Sequence, residues 1–295
     1  MADRVPEEHL GPTFEACPLC GFEGERTPEI VLQDAPEVWM RRCPRCHASC
    51  ADRFPDDAFL AKLYDPSHYS SPLSAQDHIS ARCAERILAY FDPAPDAELE
   101  LVDYGGNRGT LVRVLRDALL ARGHRGRIRG TVVDLFPAAG DDAVRFITPE
   151  QFAAESTRYD LVLASAVLEH LTNMPDVVRQ LLAVARDGAI FYARTPYDVP
   201  LAKLGVGYPV RWPRHLYDLG PAFWSGFLDV FDAPGDVLVS RPSLVETSLQ
   251  QSPGRTVAAH VLKFPARLEV RFLGRRVPWW RWVGGWEMVA RLSGR

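Results

Sequence analysis

From residue 98 to residue 196, short apolar runs alternate with helix-like segments, and no other feature of this chain restricts its fold as much. The runs are ELELVDYG, IRGTVVDLF, AVRFIT, YDLVLASA and GAIFYARTP; the helical segments between them include TLVRVLRDALLARG and PDVVRQLLAVARDG. Strands that are apolar throughout, rather than at every second position, are buried on both faces. Strands and helices in alternation then predict an α/β fold, a mostly parallel Rossmann-like sheet with helices on both sides. After the helix-like GPAFWSGFL, the runs GDVLVSR and TVAAHVLKF are expected to form a terminal hairpin. The organisation expected is a zinc ribbon over 13–54, carried by the paired cysteines Cys17, Cys20, Cys43 and Cys46, then a helical linker and pocket segment over 55–98, the α/β core over 99–263 and a basic, tryptophan-rich segment over 264–295. At 295 residues the chain is long enough for one or two such domains.

The stretch LVDYGGNRGTLVRVL, residues 101–115, is a strand that enters a glycine turn and then a helix. Such a turn points backbone N–H groups at whatever lies above the sheet edge. Gly105 and Gly109 let the chain turn tightly and let a ligand approach closely. The spacing is D-x-G-x-x-x-G from Asp103, not the G-x-G-x-x-G of nicotinamide-dinucleotide sites. The next strand ends in Asp134, and an acid at that tip can hydrogen-bond the hydroxyls of a ribose.

Two matched units, Cys17-Pro-Leu-Cys20 and Cys43-Pro-Arg-Cys46, stand 22 residues apart. C-x₂-C pairs at this separation predict one tetrahedral zinc held by four thiolates, and a filled coordination sphere makes it structural. Gly21 suits the turn after the first knuckle. His47 and Cys50 are expected to be loop residues off the metal, and Cys83 a core residue. The net charge of −4 gives no global case for nucleic acid, and RRCPRCHASCADR, residues 41–53, has no interleaved aromatic platform. No apolar run approaches the ~20 residues of a membrane span, and MADRVPEEHLGP lacks an apolar signal core, so a cytoplasmic protein is expected.

Residues 99–263 resemble the class I S-adenosylmethionine-dependent methyltransferases. LVDYGGNRG is similar to their first motif, V-L-D-x-G-x-G-x-G, with Asn107 at the middle glycine. Tyr159 to Leu171 resembles their fourth-strand motif, F-D-L-V-x-x-x-x-V-L-E-H-L. The resemblance implies that Asp103, Gly105 and Gly109 hold the methionine end of S-adenosylmethionine, that Asp134 binds the ribose beside Leu135 at the adenine, and that Ser165 and Ala166 lie under the cofactor. A looser similarity, over most of residues 13–230, is to the sugar C-methyltransferases that act on nucleotide-linked deoxysugars; it rests on the ribbon, LYDPSHYSSPLSAQDH, VLEHLTNMPDVVRQL and RHLYDLGPAFW.

Removing a proton from a hydroxyl, or from carbon beside a ketone, suits a histidine with a tyrosine or carboxylate helper. His170 follows the fourth strand, His215 and Tyr217 sit in the loop after the fifth, and Tyr69 with His68 precedes the core; these are the candidate acceptor-site residues. The tail, with Trp279, Trp280, Trp282 and Trp286 among arginines, is expected to pack on the core or cover substrate, with peripheral membrane contact as the second reading. The function expected is S-adenosylmethionine-dependent C- or O-methylation of a small-molecule substrate: a nucleotide-linked sugar, or a glycan or natural-product intermediate. The alternative is a non-catalytic, methyltransferase-like binding module. Nothing in the sequence sets the oligomeric state.

Overall fold

The computed structural model describes residues 4–64, 73–203, 210–243 and 284–294, with isolated positions between 257 and 268; of residues 73–78 it describes the backbone alone. The N-terminal part carries three antiparallel strands, β1 (Thr27–Asp34), β2 (Glu37–Arg42) and β3 (Ser49–Ala51). Helices α1 (Asp57–Leu63) and α2 (Leu73–Ile87) lead to the core. Asp56 caps α1, its carboxylate accepting the Phe59 amide at 2.8 Å.

The core follows in chain order as β4 (Leu99–Tyr104), α3 (Thr110–Ala121), β5 (Ile128–Val133), β6 (Val144–Ile147), α4 (Pro149–Ala153), β7 (Tyr159–Ser165), α5 (Met174–Ala183) and β8 (Ala185–Pro196). The five strands, with α3 and α5, are those that the apolar alternation predicts; the short α4 is not among them. All five strands are parallel, in the order β6-β5-β4-β7-β8, so β4 is central. Neighbouring side chains of each strand serve opposite faces. Leu99 and Leu101 of β4 join Leu161, Leu163, Ile190 and Tyr192 in the layer that packs on α2 and α3. Val102 and Tyr104 join Val162, Ala164, Phe191 and Ala193 in the layer on the other side. Helix α3 turns one stripe inward, Leu111, Val112, Leu115 and Leu119, and each buried leucine contributes about 1.5–3 kcal/mol.

Beyond β8 come α6 (Val199–Ala202), β9 (Tyr217–Asp218), α7 (Pro221–Ser225), α8 (Phe227–Val230), β10 (Gly235–Pro242) and β11 (Gly285–Leu292). Strand β11 runs antiparallel between β8 and β10 and completes a seven-stranded sheet. The expected hairpin partner of β10 at residues 256–264 falls in a stretch of which only isolated positions are described; β10 pairs with β11 instead. GWEMVARL alternates cleanly once placed, with Trp286, Met288 and Ala290 buried on one face and Val289 on the other. Arginine and tryptophan obscured that period. Trp279, Trp280 and Trp282 lie outside the described residues.

Strand β9 pairs with β3, so the N-terminal sheet reads β1-β2-β3-β9 and its last strand comes from the loop after β8. The cysteine-bearing segment also shares one apolar layer with α5, α7 and α8. Among the described residues no helix is long and apolar enough to cross a membrane.

Candidate active site

Because β4 pairs in parallel with both β5 and β7, the carboxyl ends of these three strands open onto one edge. Gly105, Asn107 and Gly109 follow β4 with φ of 71°, 49° and 71°. A Cβ on Gly105 would stand 2.3 Å from Val167 Cγ2, so no side chain fits there. Asn107 takes the left-handed conformation that the middle glycine of the motif would supply, which asparagine tolerates better than most residues. Its amide donates to Asp134 Oδ2 at 3.0 Å, and the Phe136 amide donates to Oδ1 at 3.1 Å. Asp134 is thereby fixed at the tip of β5. Beside it Leu135 and Phe136 are 63% and 51% exposed. An acid able to accept from hydroxyls, next to exposed apolar faces for a flat ring, fits the adenosine half of S-adenosylmethionine.

Asp103 is buried, and burial first, then the nearby Asp134 charge, push its carboxyl up to about 8. A ligand carrying positive charge at that edge would reverse this penalty, which fits a cofactor whose methionine end holds an ammonium and a sulfonium. Across the edge, Ser165 Oγ accepts from Arg194 Nε at 3.2 Å. Ala166 turns with φ 57°, its amide donating to the Arg194 carbonyl at 2.7 Å.

The two candidate histidines come together although 45 positions separate them (215 − 170): their ring centroids are 5.0 Å apart. His170 is placed by a short 3-10 turn, Leu168–His170, directly after β7. His215 comes from the loop before β9, and the backbone fixes the match: the Leu216 amide donates to the Glu169 carbonyl at 2.7 Å. His170 Nδ1 lies 2.8 Å from the Arg214 carbonyl, an acceptor only, so Nδ1 carries the proton and Nε2 keeps a lone pair. The Tyr64 hydroxyl donates to the same carbonyl at 3.1 Å. Burial pushes His170 down to about 4, with the Arg214 and Arg211 charges adding to the effect against the Arg214 carbonyl, so the ring is neutral at pH 7. Its Nε2 is 3.6 Å from Oε1 of the fully buried Glu169. His215 Nδ1 is 3.7 Å from Asp198 Oδ2. Beside it Asp218 is held well above the usual carboxylate range by burial and by Asp198.

Tyr217 does not join this cluster. Its ring packs edge-on against Phe54 at 5.4 Å, and burial, then Cys50 and Cys17, raise its phenol. His215 lies in the loop before β9, whereas Tyr217 is in β9 itself, paired with Cys50 of β3, so its ring is committed to the N-terminal sheet. Tyr69 and His68 lie outside the described residues. Tyr64, from the same LYDPSHYSS segment, reaches His170 instead. Glu169, Asp198 and Tyr64 were not singled out from sequence, because their part in the cluster depends on contacts up to 106 positions distant.

Cys17, Cys20, Cys43 and Cys46 bring their sulfurs within 4.8 Å of one another. The knuckles are built alike. The Gly21 and His47 amides donate to the Cys17 and Cys43 carbonyls at 2.9 and 3.0 Å, and Gly21 and His47 have φ of 69° and 60°. Cys17 to Cys46 and Cys20 to Cys43 measure 3.8 and 3.6 Å between sulfurs. A tetrahedron with ~2.3 Å metal–sulfur bonds has edges of ~3.8 Å, so the donors fit zinc. Cys50 is outside the four-sulfur group, as expected, but lies buried in β3 rather than in a loop; the Cys46 thiol first, then Cys50, favour the thiolate form of Cys17.

A family model described as a methyltransferase domain matches residues 75–226. A ubiquinone biosynthesis O-methyltransferase of Methylobacterium sp. (strain 4-46) is 34% identical over 194 residues, 58% of this chain and 76% of that protein. One of the same description from Caulobacter vibrioides is 28% identical over 191 residues, 58% of this chain and 72% of that protein. Among solved structures, the N-methyltransferase NodS from Bradyrhizobium japonicum WM9, in complex with S-adenosyl-L-homocysteine, is 11% identical, covering 81% of this chain and all of that one with a TM-score of 0.47. With a methyltransferase model matched across more than half of it, the chain belongs to the S-adenosylmethionine-dependent methyltransferases.

Proposed function

We propose that the chain methylates a hydroxyl oxygen of a small molecule. In this reading Asp103, Gly105, Gly109, Asp134, Leu135, Ser165 and Ala166 hold S-adenosylmethionine, which supplies an electrophilic methyl group when bound. Glu169, His170 and His215 receive the acceptor hydroxyl and assist loss of its proton. Cys17, Cys20, Cys43 and Cys46 hold a structural zinc. The observation that carries the reading is the meeting of His170, His215 and the buried Glu169 immediately past β7, on the same sheet edge as Asp103 and Asp134. For O-methylation the chain need only align the oxygen with the methyl group and ease the O–H proton away. Oxygen is favoured over carbon because the relatives of 34% and 28% identity are O-methyltransferases by name.

The test is product analysis with S-adenosylmethionine and a panel of phenols, catechols and nucleotide-linked sugars. An O–CH₃ product with release of S-adenosylhomocysteine is expected, and His170→Ala should cut turnover at least ~100-fold. A C–CH₃ product, or wash-out of a carbon-bound proton of the acceptor in D₂O without cofactor, would replace this reading with carbon methylation.

A further inference from the structure

We propose that Glu169, His170 and His215 form a second metal site, separate from the four cysteines, which takes a first-row divalent cation such as manganese, iron or zinc. One donor atom from each of the three side chains lies within 4.8 Å of the others. What distinguishes the cluster from a chance gathering of histidines is how each ring is held. His170 Nδ1 is bound to the Arg214 carbonyl at 2.8 Å, and His215 Nδ1 faces the Asp198 carboxylate at 3.7 Å. In metal sites the nitrogen that does not bind metal is oriented in this way, by a carbonyl or a carboxylate. His170 is thereby left with Nε2 as its ligand atom, 3.6 Å from Glu169 Oε1.

The third donor is a carboxylate with no exposure to solvent. The frame is rigid. The Leu216 amide binds the Glu169 carbonyl at 2.7 Å, so the residue beside His215 is fastened to a ligand-bearing residue, and the His215 amide donates to the Arg211 carbonyl at 2.9 Å. Two imidazoles and one carboxylate suit transition metals rather than magnesium or calcium, which prefer all-oxygen sets. Three protein ligands leave coordination positions open, as in catalytic rather than structural sites. The site is reachable as well, since the His170 side chain is 25% exposed.

The inference deepens the methyl-transfer reading and rests on it for its purpose: a cation here would draw the acceptor oxygen in and make its proton easier to lose. Metal binding itself is testable without any acceptor. The probe is Co²⁺, added to the full chain with the four-cysteine centre already loaded with zinc. One further equivalent should bind, with the weak visible absorption of nitrogen and oxygen ligands and without intense sulfur-to-cobalt bands. In the wild-type protein the bound ion should shift or broaden the ring signals of His170 and His215 and leave those of His124 unchanged. Glu169→Gln and His215→Ala should each weaken this binding at least ~10-fold, while zinc content and S-adenosylhomocysteine affinity stay as in wild type. Failure of the wild type to take up a second equivalent overturns the proposal, and so does uptake that leaves both ring signals unmoved. Neither result touches the methyl-transfer reading, which fails instead if the wild type does not bind S-adenosylhomocysteine.

Discussion

Asp103 is a residue whose cost and use have opposite signs. Burial and Asp134 raise its carboxyl to about 8 in the folded chain, against an ordinary value of 3.8. Between those values the folded form binds more protons than the unfolded form, so stability falls as pH rises through the window and the penalty is complete above it. Asp103→Asn should therefore raise the melting temperature of the ligand-free protein by several degrees at about pH 8.5 and leave it unchanged near pH 4. The same substitution should weaken S-adenosylhomocysteine binding ~10-fold or more, since a charged partner for the cofactor's ammonium is lost. A uniform loss of stability at both pH values would show that the burial penalty is not what the carboxyl experiences. Gly105→Ala needs no pH argument: the new Cβ would meet Val167 at 2.3 Å on a backbone with φ 71°, and cofactor affinity should fall at least ~10-fold by calorimetry. Asp103, the glycines and Asp134 could be picked out from sequence because the strand–turn–helix that presents them is local. The partners of His170 could not, since Tyr64 and the Arg214 carbonyl meet it only when three distant segments pack.

Strand β9 is two residues long, yet it joins the cysteine-bearing sheet to the loop that carries His215. Its pairs are Ser49 with Asp218 and Cys50 with Tyr217, and the Ala51 amide adds a bond to the Leu216 carbonyl at 2.9 Å. The knuckles were plain in the sequence from their spacing, whereas a two-residue strand has no period to detect. It also shows why the four cysteines matter to the acceptor side. A four-thiolate zinc contributes much of the folding energy of a small ribbon, so its loss should release β3 and then β9. Cys43→Ser is expected to lower zinc content and to speed amide exchange at Ala51 and Leu216. Affinity for S-adenosylhomocysteine should stay within ~3-fold of wild type, because the β4, β5 and β7 edge takes no strand from that sheet. Unchanged exchange at Leu216 in a zinc-free variant would mean that the loop holds its place without the ribbon.

At the scale of the whole molecule, the seven-stranded sheet is completed by a strand that comes last among the described residues and lies second from the edge. The core strands from β4 to β8 were readable because apolar runs and helices alternate over a short stretch. β11 was hidden among arginines and tryptophans, and its register with β8 is set by pairs from Gly285↔Pro196 to Arg291↔Ile190, residues that lie far apart in the chain. One of those residues anchors the arrangement electrostatically. Glu287 is fully buried in β11 and accepts from Arg86 of α2, from Arg241 Nε of β10 at 2.6 Å, and from the Tyr192 hydroxyl of β8 at 3.5 Å. Removing one member of a buried ionic set strands the others, at a cost of about 3–5 kcal/mol, whereas replacing the whole set with apolar residues is often neutral. Glu287→Ala should lower the melting temperature by on the order of 10 °C. Adding Arg86→Met and Arg241→Met to a Glu287→Met background should restore most of that loss, if charge stranding rather than lost packing is the cause. A triple variant that melts as low as the single one would instead show that the carboxylate and its two arginines are needed for the four elements to dock at all.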